Sequence, residues 1–574
     1  MYLKDGRSIV VTMFVDDNTE TRGRKKYRRV LLRNSYRKNG KVKHDTIANI
    51  THCSDEEIEA IKWALKNKGK ITSGALAGDF QARQGISVGS VWLLFKLAER
   101  LGIRKALGES REGRLCLLMV LASIIGHNSR LSIVRNSNDF AFCDVLGLDA
   151  FNEDDLYAAL DWLCDNQATI EKKLFSHRYG KDVPVLYLYD VTSSYLEGRK
   201  NELAAFGYNR DGKKGKMQIV IGLLADGAGC PVSTGVFAGN TQDVRTVKDQ
   251  IDKLKKNFGA EKIAFVGDRG MLKRPQQDDL KDEGFNYITA ITKPQIETLL
   301  KRDVIQMDMF DEDATEVEDG EIRYILKRNP VRVQQIDRNR RDKLRKIRIL
   351  VEEQNLYLSE HVRASTEVAL KNVVARIGKL KLNNWLSARA EDRSVVLELD
   401  EKALAEEALL DGCYVIKTDL KKEDATKEIV HQRYKDLARV EWGFRTMKST
   451  FLELRGIYVT KEKRTRAHVL VVMLAYLLQR ELYECWRELE VTVAEGVREL
   501  TSLCSLKVSW NGRAEFQTIP EPRERGSELL KAAGFTLPDA LPSRNVRVDT
   551  RKKLVPERKN AENSHDSAVR AGLG

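Results

Sequence analysis

Three carboxylates of this 574-residue chain occupy positions where a charge needs a partner. Asp190 ends the run "VPVLYLYD", in which Val183, Val185, Tyr187 and Tyr189 fall on one face and Leu186 and Leu188 on the other. That alternation predicts a strand over 183 to 190. A carboxylate at its end is expensive to bury unless it is paired or holds a metal; alternatively it caps the strand or bonds the hydroxyls of Thr192, Ser193 and Ser194 in a turn. Asp268 closes a second predicted strand, "KIAFVGD" (262 to 268), ahead of Arg269 and Gly270. Strand ends in α/β sheets are where functional groups gather, although a plain turn also uses an Asp there. Glu441 lies in "YKDLARVEWGFRTMKSTFLELRGIYV" (434 to 459), where Tyr434, Glu441 and Lys448 recur at intervals of seven, close to one stripe of a helix. A solvated face explains the Glu and the Lys, but less readily the flanking Trp442, Phe444 and Phe451.

The elements that must position these groups are legible around them. Predicted strands at 183 to 190, 217 to 225 and 231 to 239, a helix over 244 to 258 and a strand at 262 to 268 begin a mixed α/β sheet. Helical spacing dominates 88 to 176 and again 426 to 505. Nearer the N-terminus, residues 27 to 50 read as two strands joined at Asn39-Gly40, and Ser54 caps a following helix with an acidic first turn. Residues 300 to 425 are mixed and highly charged, ending in a strand over 412 to 419. Beyond 540 the chain is basic and aperiodic, which predicts a mobile tail. The resulting division is 1–85 (hairpin, helix and basic arm), 86–178 (helical), 179–295 (first part of an α/β core), 296–425 (insertion), 426–505 (second, helical part of the core) and 506–574 (C-terminal extension).

Composition narrows the partner. There are 98 basic and 84 acidic residues, a net charge of +14, and the sequence pI is about 9.2. "RGRKKYRR" (22 to 29), "RNRRDKLRKIR" (338 to 348) and "RNVRVDTRKK" (544 to 553) concentrate the excess, which favours a nucleic acid over a merely solvated face. Eight scattered cysteines, without a Cys-x-x-Cys pair, read as reduced core residues of a cytosolic protein. The apolar runs at 115 to 126 and 469 to 478 fall short of the roughly 20 residues of a bilayer span, so no membrane partner is expected. Absence of a Gly-x4-Gly-Lys-Ser/Thr loop disfavours ATP chemistry.

In this order, "YDVTSSYLEG", "GNTQD" (239 to 243), "VGDRGM" and "VEWGFRTMKS" resemble the DDE transposases of bacterial insertion sequences, in particular the insertion-sequence-four superfamily. The separations agree: 268 − 190 = 78 residues, then 441 − 268 = 173, room for a core and a large insertion. "SYRKNGKVKHDTIANI" and "RTRAHVLVVMLAYLL" also resemble the flanking regions of that family. One departure stands out. The signature Tyr-x2-Arg-x3-Glu-x6-Lys is present as Tyr434, Glu441 and Lys448, but Leu437 stands where Arg belongs; Arg433, Arg439 and Arg445 are the neighbouring cations.

The resemblance implies an α/β fold: a ribonuclease-H-like mixed-sheet catalytic core with a β-rich insertion, plus an N-terminal hairpin and helical DNA-binding region. It implies that Asp190, Asp268 and Glu441 are both catalytic residues and metal ligands for two Mg2+ ions, with Mn2+ as a substitute, because hard cations prefer oxygen ligands. The reaction implied is cleavage at terminal inverted repeats and attack of the freed 3′-hydroxyls on target DNA. Tyr434 and Lys448 would hold terminal phosphates; Arg445, Arg455, Arg466 and His468 are further DNA-binding candidates, with solvation of the last helices as the alternative for Arg455, Arg466 and His468. Trp385 is a candidate for stacking a flipped base, and more readily a core residue. The partners implied are double-stranded DNA and a second copy of the chain in a synaptic complex; the place implied is the bacterial cytoplasm, in association with the nucleoid. A catalytically inactive DNA-binding descendant and a metal-dependent nuclease that does not join ends are the rival readings.

Overall fold

In a computed structural model that describes residues 12–22, 25–38, 41–66, 80–126, 129–198, 200–449, 451–454, 456–510 and 514–550, the alternating N-terminal segment folds as an antiparallel sheet. Its strands are β1 (Thr12–Arg22), β2 (Lys25–Lys38) and β3 (Lys41–Asn49), in the order β1-β2-β3. The Asn39-Gly40 turn lies outside the described residues. Helix Asp55–Lys66 starts as its sequence requires: Ser54 Oγ accepts from Glu57 N, and Glu57 Oε2 accepts from Ser54 N. Ile58 of this helix is buried with Val30 and Ile50. Arg28, from the first basic run, is held by Asp17 and Asp55. These elements, with β4 (Phe80–Ser87) as far as Gly85, belong to one compact unit, made of the described residues within 1–85 and 505–520; the described residues within 86–504 and 521–550 form a second.

The second unit is built on the apolar helices the sequence announces. Helix Arg111–Ile125 is buried almost throughout, and shares one core with helices Gly89–Arg100, Glu153–Asp165 and Glu462–Cys485. Among the described residues no single helix is long and apolar enough to cross a membrane.

Against these helices lies an eight-stranded sheet. Its strands are β5 (Leu186–Tyr195), β6 (Gln218–Asp226), β7 (Pro231–Ala238), β8 (Ala264–Gly267), β9 (Asn286–Ala290), β10 (Thr315–Asp319), β11 (Ile322–Arg328) and, after the hairpin β12 (Leu386–Glu391) and β13 (Ser394–Leu399), β14 (Cys413–Thr418). The order is β10-β11-β14-β9-β8-β5-β6-β7. Strands β5, β6 and β7 are antiparallel, whereas β8 and β9 run parallel to β5. This is the mixed sheet of a ribonuclease-H-like core, extended at one edge by β14, β11 and β10. Side-chain alternation divides the two faces. Tyr187, Tyr189, Val191 and Phe265 pack with Val247 and Ile251 of helix Asp243–Lys256, while Leu188, Val266 and Ile221 pack with Val440 and Phe444 of helix Leu437–Met447.

Between β11 and β14 the insertion is more helical than the expected β-rich unit. Helices Pro330–Glu360 and Thr366–Leu380 and the β12–β13 hairpin share a core of Ile347, Val351, Val373, Ile377 and Trp385. Its charged sequence hides a 31-residue helix because the apolar positions are few, and only Ile347, Val351 and Leu358 are buried. Trp385 is 2 % exposed, as a core Trp is.

The expected mobile tail is corrected for residues 541 to 550. Val548 is buried, exchanging two hydrogen bonds with the Asn138 side chain, and Arg544 pairs with Asp149. Anchors scattered along an extended segment, Arg544 and Val548 among them, leave no periodicity to read. Residues 551 to 574, the rest of the tail, lie outside the described residues. The C-terminal extension also holds strands β15 (Cys504–Trp510) and β16 (Ala514–Thr518), which complete a sheet in the order β16-β15-β4, and helix Glu524–Ala533.

Candidate active site

Asp190 does not end its strand. β5 continues through "TSSY" to Tyr195, so the carboxylate sits mid-strand, opposite Leu223 of β6. It belongs to the alternating set that includes Leu188, which faces helix Leu437–Met447. On the neighbouring parallel strand, Gly267 is paired with Tyr189, and Asp268 is the next residue. One register step therefore brings Asp268 beside Asp190, on strands about 4.8 Å apart. Asp268 shares the alternation of Val266 and so the same face. Each carboxylate accepts the amide of the residue that follows it: Val191 N donates to Asp190 Oδ1 at 2.8 Å, and Arg269 N to Asp268 Oδ1 at 2.8 Å.

Glu441 comes from the helix packed on that face. The stripe of intervals of seven is interrupted: the helix breaks at Asp436 into Lys427–Lys435 and Leu437–Met447, and Lys448 is the C-cap. Even so, Asp190, Asp268, Tyr434, Glu441, Arg445 and Lys448 line one cavity of about 770 Å³. The Tyr434 hydroxyl donates to Asp268 Oδ1 at 3.4 Å, and Lys448 Nζ donates to Asp211 Oδ1 at 2.8 Å. Val440, Phe444 and Met447, on the buried side of the helix, fix its rotation.

The cavity is electrostatically tense. Burial pushes the Asp190 carboxyl up to about 7, and the negative charges of Asp268 and Glu441 add to the shift; the Val191 amide and the Arg210 guanidinium oppose it. Arg210 lines the cavity while both oxygens of Asp243 hold its guanidinium, at 2.7 and 2.6 Å. Sequence reading missed Arg210 and Asp211, as well as Asn329 and Tyr414, which also line the cavity or hold its lining. "NRDGKKGK" was the available signal, a polar loop between two apolar strands.

Other predicted site residues lie elsewhere. Arg466 is held by Glu462 and the Val236 carbonyl. His468 Nδ1 faces the Arg130 guanidinium at 3.2 Å, and burial lowers its pKa to about 3, so it is a neutral residue packed in the protein. Neither lines the cavity. Arg455 lies outside the described residues. Of the cations near the signature's missing Arg, Arg439 is committed to Asp436 and the Gly227 carbonyl, whereas Arg445 lines the cavity; Leu437 itself is in the lining.

The donor set suits a hard divalent cation: three carboxylates, no thiolate or imidazole, and a mutual repulsion that a cation would relieve. As the side chains stand, no three His, Cys, Asp or Glu among the described residues close around one ion. A metal held by all three would require them to draw together.

Residues 182–478 match the transposase DDE domain family, over more than half of the chain. The protein thus belongs to the DDE transposases, enzymes that cut DNA and transfer the cut strands. Residues 17–79 match the IS1634 family transposase N-terminal domain, which makes it a bacterial insertion-sequence transposase. Members of this class use divalent metal ions and act on DNA. Among solved structures, the piggyBac transposase synaptic complex with hairpin DNA is similar over 67 % of this chain and 69 % of that one, at 10 % identity and a TM-score of 0.34. Comparison with curated proteins gives no match.

Proposed function

We propose that Asp190, Asp268 and Glu441 are the catalytic carboxylates of this transposase, acting at the terminal inverted repeats of its element. What carries the reading is their convergence: adjacent register positions on two parallel strands and a helix over the same face, all lining one cavity. They would hold two Mg2+ ions, with Mn2+ as a substitute. Ions bound there supply activation of the attacking hydroxyl and stabilisation of the leaving oxygen in an in-line displacement at phosphorus.

The remaining lining orients the DNA. Arg445 and Lys435 offer charge to the phosphates flanking the scissile bond, and Arg210, preset by Asp243, presents a guanidinium fixed in place. Lys448 is a point charge already balanced by Asp211, so a phosphate that reaches it must share the ammonium. Tyr434 keeps Asp268 oriented through its hydroxyl and stays protonated, since burial and the Asp268 charge raise its pKa. Two copies of the chain, one per DNA end, would act together in the cytoplasm on nucleoid DNA.

The deciding experiment is Mg2+-dependent cleavage and joining of a duplex bearing the DNA ends that flank this gene. Alanine at Asp190, Asp268 or Glu441 is expected to abolish both steps while DNA binding survives. Cutting that persists in any of the three variants removes that residue from the catalytic set. A wild-type protein that binds the ends without cutting indicates an inactive descendant; one that cuts without joining indicates a nuclease.

A further inference from the structure

The helix Pro330–Glu360 begins at the cavity: its N-cap, Asn329, is one of the lining residues. From there it runs 31 residues, and its inner face is fixed. Ile347, Val351 and Leu358 are buried, and Arg340 is tied to the buried Asp411 at 2.7 Å. About a third of a turn round the helix from that face, four arginines recur at 338, 341, 345 and 348, all exposed. Steps of three, four and three residues keep them within an arc of about 80°. The stripe stops at Glu352.

Such an arrangement opposes helix stability, because each successive pair places like charges at i,i+3 or i,i+4. Local acids relieve it only in part. Arg341 pairs with Asp337 and Arg345 with Asp342, exposed contacts of little worth, whereas no salt bridge joins Arg338 or Arg348 to an acid among the described residues. Arginine is also the side chain whose planar fork suits phosphate oxygens.

We infer that Arg338, Arg341, Arg345 and Arg348 form a rail that grips the backbone of the DNA duplex whose scissile phosphate occupies the cavity. The inference rests on the cavity being the active site. At 1.5 Å per residue, Arg338 lies about 14 Å and Arg348 about 28 Å along the helix from Asn329. At 3.4 Å per base pair, the grip falls roughly four to eight base pairs from the cut. The rail reads phosphate positions rather than bases, so it should act on any sequence.

The test uses the full-length protein and a duplex carrying the flanking ends of this gene, with binding measured against salt concentration. Replacing the four arginines by Gln should lower the slope of log affinity against log salt by about three to four, near 0.9 per lost phosphate contact. Affinity at low salt should fall at least about tenfold. On duplexes trimmed to fewer than about four base pairs beyond the scissile phosphate, wild type and variant should bind alike; trimming each side separately identifies the gripped arm. The corresponding four-Lys variant should keep the slope, and far-ultraviolet circular dichroism should be unchanged in both. An unchanged slope in the Gln variant overturns the rail, as does a slope lost equally in the Lys variant, which would indicate a structural effect. Weakened capture of target DNA with unchanged binding of the ends also overturns it. Because binding is the readout, failure of the carboxylate assignments would show separately, in cleavage.

Discussion

Lys448 donates to Asp211 at 2.8 Å, and the pair is nearly enclosed, with side-chain exposures of 11 % and 6 %. It ties the end of the helix bearing Glu441 to the loop between β5 and β6, two elements that rim the cavity. Removing the Asp211 carboxylate breaks a nearly enclosed ion pair, at a cost of up to about 3–5 kcal/mol. Asp211→Asn should therefore lower the thermal unfolding midpoint markedly, and the double variant Asp211→Leu/Lys448→Met should recover most of the loss. Equal, additive losses in a double-mutant cycle would show that the two side chains are not coupled.

Asp190 gives the metal-free protein a particular dependence on pH. Its pKa is about 7 in the fold, raised first by burial and then by Asp268 and Glu441, against an ordinary 3.8. Between these values the folded protein holds a proton that the unfolded chain has released. Stability should thus be greatest below about pH 4 as far as this group is concerned, and should decline by up to about 4 kcal/mol as pH rises to 7. Denaturant unfolding in the presence of a chelator should show that decline in wild type and lose it in Asp190→Asn.

Divalent cations should oppose the same decline. A cation binds the ionised carboxylates, so it competes with the proton and stabilises the folded state by mass action. Adding Mg2+ or Mn2+ should raise the unfolding midpoint more at pH 8 than at pH 5. Asp190→Asn, Asp268→Asn and Glu441→Gln should each weaken that rise; a rise of the same size in all three would move the metal elsewhere.

Tyr434 contributes through one long hydrogen bond to Asp268, at 3.4 Å. Such a contact at the edge of bonding distance supports a modest effect. Tyr434→Phe should slow strand cleavage by about tenfold or less, roughly 1.4 kcal/mol, with DNA affinity little changed. Cleavage by this variant at the wild-type rate would remove the hydroxyl from the mechanism.

The docked segment 541 to 550 should matter for stability. Val548 is 2 % exposed and bonded on both backbone groups to Asn138. Val548→Asp should destabilise the protein by about 1–3 kcal/mol and open this segment to protease, and truncation after Ser543 should cost a similar amount of stability. An unaltered unfolding curve would show that the segment adds nothing to the core.

Alternation and composition alone determined much of this protein. Tyr187, Tyr189 and Leu188 announce β5, the run at 115 to 126 announces a buried helix, and the spacing of Asp190, Asp268 and Glu441 within matching motifs announces the family. These are local properties, written as a period of two or of 3.6 residues and as short fixed strings. Only the tertiary structure decided that Asp268 stands one register step beside Asp190, because strand pairing joins residues 78 positions apart. It decided too that Lys448 meets Asp211, that His468 and Arg466 turn away from the cavity, and that Arg210 enters it. The helix Pro330–Glu360 and the anchorage of Val548 were hidden for a related reason: each is secured by a few long-range contacts that leave almost no pattern in the neighbouring sequence.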